Sequence, residues 1–308
     1  MDPVKPQFAS PQFSPLQIWL LAARPKTLPA AAVPVIVGAA LALSEGVFKP
    51  GPALAALLAA LLIQIGTNLA NDVFDYKKGA DTGTRLGPLR VTQAGLLTPE
   101  QVLRAMGLTF SLAALIGLYL IVVGGWPIVL IGLLSIAAGI AYTGGPFPLG
   151  YNGLGDLFVF LFFGLAAVCG TYYVQAGTVS LAAWWAAVPI GLLATAILVV
   201  NNLRDIETDR AAGKKTLAVR LGARGAQLEY TLLLAAAYLS PLLMGLTGAA
   251  TIWVLLAWLS LPLVRPLLRL VWHSQGRVLN QALAGTARLE LVYGLLFSAG
   301  LLIGRWLS

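Results

Sequence analysis

The chain has 308 residues, of which 58% are hydrophobic and only 10% are charged, and its mean hydropathy is +0.84. This composition excludes an ordinary soluble domain and is typical of a polytopic membrane protein. The formal net charge of +8 does not indicate a nucleic-acid partner, because the basic residues lie in short loops between apolar segments. The single cysteine, Cys169, lies in an apolar run, so neither an intrachain disulfide nor a thiolate metal cluster is expected.

Residues 1–16 (MDPVKPQFASPQFSPL) predict a flexible tail, since they are rich in Pro and Gln and lack the apolar core of a signal peptide. Residues 17–308 are expected to form a single transmembrane domain. Apolar segments of about twenty residues recur along it, separated by turns that contain Gly and Pro. We therefore predict an all-α polytopic membrane protein with nine transmembrane helices, at roughly 17–44, 52–76, 100–122, 126–144, 153–176, 180–202, 226–247, 250–272 and 284–306.

The distribution of Lys and Arg predicts how these helices are oriented. If the N-terminus is cytoplasmic, eighteen of the twenty basic residues fall on its side of the membrane, and only Lys49 and Arg305 fall on the other. This is the positive-inside asymmetry, and it also favours an odd number of helices. The N-terminus is expected in the cytoplasm and the C-terminus on the opposite side.

Half of the twelve acidic residues lie in two short stretches, NLANDVFDYKKGAD (68–81) and NNLRDIETD (201–209), at the ends of the second and sixth apolar segments. Asp and Asn recur there at spacings of three and four, which places them on one helical face. Pairing with neighbouring Lys and Arg is the structural interpretation. Because two such stretches occupy matching positions, four helices apart, we favour a shared ligand and two sequence-related halves.

Carboxylates without a nearby His or Cys suit Mg²⁺, which prefers one or two carboxylates together with phosphate oxygens. Lysines and arginines beside the acids can contact phosphate directly. A lipid diphosphate with a long apolar tail fits both the charged stretches and the surrounding apolar helices. A cation-coupled transporter is the alternative from another class, since intramembrane acids also mark ion pathways; against it, these acids cluster with lysines at one face.

An ordered set of motifs resembles the UbiA-type intramembrane aromatic prenyltransferases over essentially the whole chain after the tail. It comprises RPKTL (24–28), NDVFDYKKGADT (71–82), RVTQAG (90–95), YTGGPFPLGYNGLGD (142–156), GTYYVQAG (170–177) and NNLRDIETDRAAGKKTLAVRLG (201–222). The motifs are most similar to the branch that prenylates 1,4-dihydroxy-2-naphthoate in menaquinone and phylloquinone synthesis. The superfamily pattern N-x-x-x-D-x-x-x-D is broken here by Gly79, with the acid following at Asp81, and the naphthoate branch shares this departure.

The resemblance implies a bundle with a central cavity and a specific reaction. A polyprenyl or phytyl group would pass from its diphosphate to 1,4-dihydroxy-2-naphthoate with Mg²⁺ bound, releasing CO₂ and diphosphate and giving demethylmenaquinol or demethylphylloquinol. The protein would lie among the lipids of the cell inner or plasma membrane, or of a thylakoid, with its active site facing the cytoplasm. A sibling enzyme with another aromatic acceptor is the alternative.

The resemblance also implies roles for individual residues. The expected magnesium ligands and catalytic groups are Asp72, Asp75, Asp205 and Asp209, assisted by Asn71 and Asn202. The expected phosphate contacts are Lys77, Arg85, Lys214 and Lys215. Further candidates for substrate binding are Asn68 and Asp81.

Four more candidates keep two interpretations each. Tyr142 either places its ring or hydroxyl against the reacting groups or belongs to an interfacial aromatic belt. Arg24 and Lys26 either hold the acceptor carboxylate or anchor the first helix. Asp156 either orients the acceptor hydroxyls or caps the fifth helix.

Overall fold

The structure is a computed structural model that describes residues 13–80 and 86–307, and this part of the chain contains helices, turns and loops but no β-strand. Two long segments change helix type along their length: Phe160–Ala166 is π-helical and Ile252–Leu263 is a 3₁₀ helix. The α-helices are α1 (Pro15–Ala23), α2 (Leu28–Ser44), α3 (Pro50–Lys77), α4 (Pro99–Gly124), α5 (Trp126–Ala141), α6 (Gly155–Val159), α7 (Ala167–Ala176), α8 (Leu181–Arg204), α9 (Ile206–Ala211), α10 (Leu217–Leu246), α11 (Val264–His273) and α12 (Leu279–Leu307).

Each predicted segment overlaps an apolar helical segment of the structure, although the first and the seventh differ in continuity or bounds. Eight helical segments of the described chain are long and apolar enough to cross a membrane, and α5 is a further apolar helix of 16 residues. At about 1.5 Å per residue, α5 rises roughly 24 Å, which is less than the thickness of a hydrocarbon core. The all-α membrane class is therefore confirmed, and the count of nine crossing helices stays a prediction.

The first predicted segment is interrupted by a left-handed residue. Arg24 has a φ of 52° and ends α1, and Pro25 follows it in a short 3₁₀ turn that leads into α2. A non-glycine residue in this region is uncommon, so the entry to α2 is a special local geometry. Helix α1 begins at Pro15 behind a capping box on Ser14, inside the predicted tail, while residues 1–12 lie outside the described part.

Helix α10 also differs from its predicted bounds. It begins at Leu217 rather than near 226, because the side chain of Thr216 caps it by accepting a hydrogen bond from the amide of Val219. The chain bends at Gly222, which has a φ of 74°. The apolar pattern starts only after this bend, which is why hydropathy alone placed the start later.

The main core lies between α8, α10 and α12, with α2 and α7 packed against them. Its largest buried side chains include Tyr230 and Tyr293. Each hydroxyl has a partner, since Tyr230 lies 2.9 Å from the hydroxyl of Thr286 and Tyr293 donates to the carbonyl of Ala237 over 2.8 Å. Pairing is required here because an unsatisfied hydroxyl inside a bundle is costly.

An apolar cavity of about 380 Å³ lies within the first half of the bundle, between α2, α3, α4, α5 and the segment from α6 to α7. At one end of the cavity the lining includes Tyr142, which directly follows α5. At the other end it includes Leu120, Ile128 and Val174. These last three belong to a buried apolar cluster. Its few polar side chains are Gln64, Thr67, Ser135, Tyr142 and Thr171.

The π-helical segment packs on α8 through two glycines. A Cβ added to Gly164 would lie 2.7 Å from the Cα of Gly191 and 3.0 Å from the carbonyl oxygen of Ala187. Backbones that approach this closely are typical of helix pairs in membranes, where small residues allow tight packing. This contact fixes the wall of the cavity against the main core.

We predict that Gly164→Ala lowers the thermal stability of the protein, because backbone atoms cannot yield to the new methyl group. A loss of about 1–3 kcal/mol is expected, measured as a lower unfolding temperature in detergent. Gly107→Ala on α4 is the matched control, since a Cβ there meets no atom within 4 Å. Equal stability of the two variants would contradict the packing argument.

Candidate active site

Asp75, in the last turn of α3, is the carboxylate with the most partners at this end of the bundle. Its Oδ2 accepts a hydrogen bond of 2.7 Å from Nη2 of Arg90, and its Oδ1 accepts one of 2.5 Å from the hydroxyl of Tyr151. Nζ of Lys214 lies 3.7 Å from the same Oδ1. Asp75 is only 2% exposed, so these partners replace its water.

Asp209, on α9, shares the same lysine. Nζ of Lys214 lies 3.4 Å from its Oδ1, and the backbone amide of Lys214 donates to its carbonyl oxygen over 2.9 Å. Burial raises the pKa of Asp209 to about 6; Lys214 opposes this shift, and the charges of Asp205 and Asp75 add to it. Asp75 and Asp209 therefore share Lys214 as a common cation.

Tyr151 lies between two lysines. Its ring centroid is 4.6 Å from Nζ of Lys214 and 5.1 Å from Nζ of Lys78, which also donates to the carbonyl of Gly145 over 3.1 Å. Burial lowers the pKa of Lys78, and the charge of Asp75 opposes that shift. The aromatic face and the two ammonium groups make a cationic wall beside Asp75.

Asp72 is held by the backbone. Its Oδ2 and Oδ1 accept hydrogen bonds of 3.1 Å from the amides of Val91 and Thr92. The side chain is buried, and both of its oxygens fasten residues 91 and 92 of the α3–α4 connection. Its predicted role as a magnesium ligand stays a prediction, and the contacts give it a structural role.

Asp205 is paired with its neighbour Arg204. Nε and Nη2 of Arg204 donate to the two carboxylate oxygens over 2.8 and 2.5 Å. The same guanidinium donates to Asn201 and to Asn280 of α12, and Asn280 in turn donates to the carbonyl of Leu86. Arg204 is thus a buried tie between α8, α12 and the α3–α4 connection.

The predicted asparagines lie on α3 and α8, in the same segments as the acids. The amide of Asn68 donates over 2.9 Å to the carbonyl of Ala23 and to the hydroxyl of Thr27, so it holds the turn between α1 and α2. Asn71 accepts from the hydroxyl of Thr143 over 3.0 Å, and Asn202 is buried in α8. These contacts position the helix ends around the acids.

The remaining predicted cations differ in exposure. Lys26, Lys77 and Lys215 are exposed, and Arg24 is half-buried. The backbone amide of Lys215 donates to the carbonyl of Tyr151 over 2.7 Å, which ties the α9–α10 connection to the Tyr151 loop. Asp81 and Arg85, two further predicted site residues, lie outside the described residues.

Tyr142 lies at the boundary between the cavity and the acids. It lines the cavity, and a Cβ at Gly155 would lie 2.9 Å from its hydroxyl. Glycine at that position leaves room for the hydroxyl at the base of α6. Asp156 is buried in the first turn of α6, and its carboxylate oxygens have no hydrogen-bond partner among the described residues, so both of its interpretations stay predictions.

Three residues of this arrangement were not among the predicted site residues. Arg90, Tyr151 and Lys78 contact Asp75 or surround it. Arg90 and Tyr151 lie inside the motifs that carry the family resemblance, but they are 15 and 76 residues away from Asp75. Helical spacing rules reach only a few residues, so no local pattern connects these groups.

The carboxylate oxygens of this site fit magnesium better than a soft metal ion or one that needs three or more protein ligands. Within 13–80 and 86–307, no group of three or more His, Cys, Asp or Glu side chains is arranged to hold a metal ion. Asp75 and Asp209 instead face one cation from two sides. Mg²⁺ needs only one or two carboxylates when phosphate oxygens and waters complete its shell, so these two residues could hold it together with a diphosphate.

The family follows from a direct comparison. Residues 31–289 match the model of the UbiA prenyltransferase family, which covers most of the chain. The chain belongs to this family. The resemblance inferred from the motifs is therefore confirmed, and with its apolar helices the chain is an integral membrane protein.

Relatives from bacteria and mammals are similar over nearly their full length. The 1,4-dihydroxy-2-naphthoate octaprenyltransferase of Escherichia coli (strain K12) is 42% identical over 96% of this chain and 98% of its own. The protein of the same name from Bacillus subtilis (strain 168) is 34% identical over 93% and 92%. The human UbiA prenyltransferase domain-containing protein 1 is 30% identical over 92% and 83%.

Solved structures share the fold at lower identity. A UbiA homologue from Aeropyrum pernix K1 is 18% identical, covers 89% of this chain and 97% of its own, and has a TM-score of 0.68. A UbiA homologue from Archaeoglobus fulgidus, bound to DMAPP and Mg²⁺, is 15% identical over 91% and 99% with a TM-score of 0.62. These similarities establish the helical architecture.

We predict that Asp72→Ala loosens the segment around residue 91. Removing the carboxylate leaves the amides of Val91 and Thr92 without their acceptor, so hydrogen exchange at these two amides should accelerate about tenfold or more, for a loss of about 1.5 kcal/mol or more. Asp209→Ala is the control and should leave these amides unchanged. Unchanged exchange in Asp72→Ala would contradict the structural role of Asp72.

Proposed function

We propose that the protein transfers a prenyl group from a polyprenyl or phytyl diphosphate to 1,4-dihydroxy-2-naphthoate, with Mg²⁺ and with loss of CO₂ and diphosphate. The product is demethylmenaquinol or demethylphylloquinol, according to the tail. The observation that carries the proposal is that Asp75 and Asp209, from the two acidic motifs, face one cation beside an apolar cavity. The names of the bacterial relatives support the acceptor.

The placement of successive turns of α3 fits a lipid diphosphate. Thr67 lines the cavity, Asn71 lies one turn further on, and Asp75 lies one turn beyond that. Residues at spacings of four share a helical face, so the apolar space and the charged site are continuous along α3. The prenyl tail would occupy the cavity and the diphosphate would lie between Asp75 and Asp209.

The cations at this end suit the leaving group. Lys214, Lys78 and Arg90 surround Asp75, with the exposed Lys77 and Lys215 nearby in the chain. Magnesium, when bound, would offset charge on the departing diphosphate. Lys214 is held by two carboxylates and a ring face, so its position is fixed before a diphosphate arrives, as electrostatic stabilisation requires. Arg85 and Asp81 remain proposed members of this group, as do Asp72 and Asp205 as ligands.

The proposed prenyl transfer requires no strong base from the protein. The allylic C–O bond of the diphosphate breaks, and the ring carbon that carries the carboxylate attacks the allylic carbon. The ring carbon then loses CO₂, and the electron pair of that bond restores the aromatic ring. The apolar wall of the cavity would exclude water, which otherwise traps the allylic cation, and Tyr142, which lines the cavity, is proposed to face this cation with its ring.

The acceptor would enter from the polar end of the cavity. Arg24 and Lys26 lie in the turn before α2, which Asn68 fastens to α3, and are proposed to attract the acceptor carboxylate. Asp156 is proposed to orient the acceptor hydroxyls. We propose that Asn71 and Asn202 hold the helix ends that frame this space.

The test of this function is product formation by purified protein with 1,4-dihydroxy-2-naphthoate and geranylgeranyl diphosphate, with and without magnesium. Release of CO₂ and diphosphate in equal amounts, only with magnesium, is the expected result. Diphosphate release without CO₂ would show that another acceptor or water takes the prenyl group. Release of neither product with any tail length would overturn the proposal in favour of a transporter.

We predict that Asp209→Asn lowers kcat by about a hundredfold or more, because it removes one of the two carboxylates that face Lys214. Glu207→Gln is the matched control: this acid lies on the same helix, is 75% exposed in its side chain and, among the described residues, pairs only with Arg210. It should retain activity within about twofold, since exposed pairs contribute little. Equal activities of the two variants would exclude Asp209 from the site.

A further inference from the structure

Helix α11 has an exposed basic face that the proposed reaction does not use. Its sequence is VRPLLRLVWH, and Leu267 and Val271 are buried against the bundle. Arg265 and Arg269 are four residues apart, so they share a face, and both are exposed. The close approach of Gly285 on α12 to Leu267 marks the packed side, which is opposite these arginines.

A third arginine lies on the neighbouring helix at a similar depth. Arg288 on α12 is exposed and lies three residues beyond Gly285. Helices α11 and α12 run in opposite directions where Gly285 packs on Leu267. Arg265 precedes Leu267 and Arg288 follows Gly285, so both arginines lie on the same side of this contact, within one helical turn of it. We call Arg265, Arg269 and Arg288 the α11 basic face.

This face has no counter-ion in the described chain. Residues 230–289 contain no Asp or Glu. No hydrogen bond or ion pair to another described residue engages the side chains of the α11 basic face, whereas Arg90, Arg204 and Arg210 each pair with an acid. The charge of the α11 basic face is therefore directed outward.

The depth of Arg265 and Arg269 in the membrane follows from the length of the 3₁₀ helix that precedes them. The 3₁₀ helix Ile252–Leu263 has 12 residues and, at about 2.0 Å per residue, is roughly 24 Å long. It therefore spans most of a hydrocarbon core that is about 30 Å thick. Arg265 follows at once, and Arg269 lies one turn nearer the polar end. That end is the side of the active site, because Asn280 at the start of α12 accepts a hydrogen bond from Arg204.

Exposed arginines at this depth need anionic partners from outside the protein. Positive residues near the cytoplasmic ends of helices set topology, which explains the side on which they lie. Topology does not account for the lack of an acidic partner, and arginines near the edge of the hydrocarbon core extend their guanidinium groups to the headgroup level. A guanidinium binds phosphate with two parallel hydrogen bonds, and phospholipid phosphates lie at this level.

We propose that the α11 basic face binds the headgroup phosphates of anionic phospholipids in the leaflet on the active-site side. Phosphatidylglycerol is the simplest lipid with this chemistry. None of the three arginines lines the cavity or contacts the described part of the acidic site, so the lipid site is separate from the proposed reaction. The bound headgroups would fix the depth of α11 in the membrane.

The experiment compares lipid retention by native mass spectrometry after purification from vesicles of phosphatidylcholine and phosphatidylglycerol. Wild-type protein should retain phosphatidylglycerol in preference to phosphatidylcholine. Each arginine near a membrane surface contributes about fivefold, so the triple variant R265Q/R269Q/R288Q should lose this preference by at least about tenfold. R104Q is the matched control, since Arg104 is an exposed arginine on α4 that lies near Glu100 and outside this face.

Two further measurements test whether the site binds a lipid headgroup or free phosphate. Soluble glycerol phosphate should not displace the lipid at millimolar concentration, because it lacks the acyl chains; displacement would show a site for free phosphate and overturn the proposal. Wild-type retention in the triple variant would also overturn it. If that variant does not fold, R269Q alone, whose side chain is exposed, should reduce the preference about fivefold, and no reduction would reject the site.

Discussion

Charge compensation at one end of an apolar bundle is the constraint on which the rest of the structure depends. A buried carboxylate without partners costs several kilocalories, so Asp75 must be satisfied by groups that the chain brings to it. Its partners come from three different connections: Arg90 after α3, Tyr151 after α5 and Lys214 after α9. One carboxylate therefore gathers three loops at the polar end of the cavity, and the geometry of that end follows from its hydrogen bonds.

In each acidic motif, one of the described aspartates holds the fold and another faces the site. In the first motif Asp72 binds backbone amides, and in the second Asp205 binds Arg204. The other member of each pair, Asp75 or Asp209, faces Lys214. A site for a highly charged molecule needs binding side chains that stay in place when that molecule leaves. Asp72 and Asp205 fix the helix ends from which Asp75 and Asp209 project.

The sequence predicted the fold class because the length and composition of apolar runs are set by the bilayer. It predicted that the acids lie at one end because both acidic stretches end even-numbered segments, which finish on the same side of the membrane. It did not distinguish Asp72 from Asp75, since both satisfy the same spacing rules. Arg90 and Tyr151 were missed because their contacts join distant parts of the chain. The left-handed conformation of Arg24 and the 3₁₀ start of the eighth span were not predicted, because a hydropathy pattern does not specify backbone dihedral angles.

The two halves of the bundle resemble each other in their acidic motifs but use their interiors differently. The cavity is lined only by α2 to α7, whereas α8, α10 and α12 pack into the main core. On the proposed function, the prenyl tail lies in the first half while Asp209 and Lys214 reach the diphosphate from the second. The reacting carbon then lies between the halves, so their alignment sets the reaction geometry. Arg204 and Asn280, which join α8 to α12 and to Leu86, supply a rigid tie across that boundary.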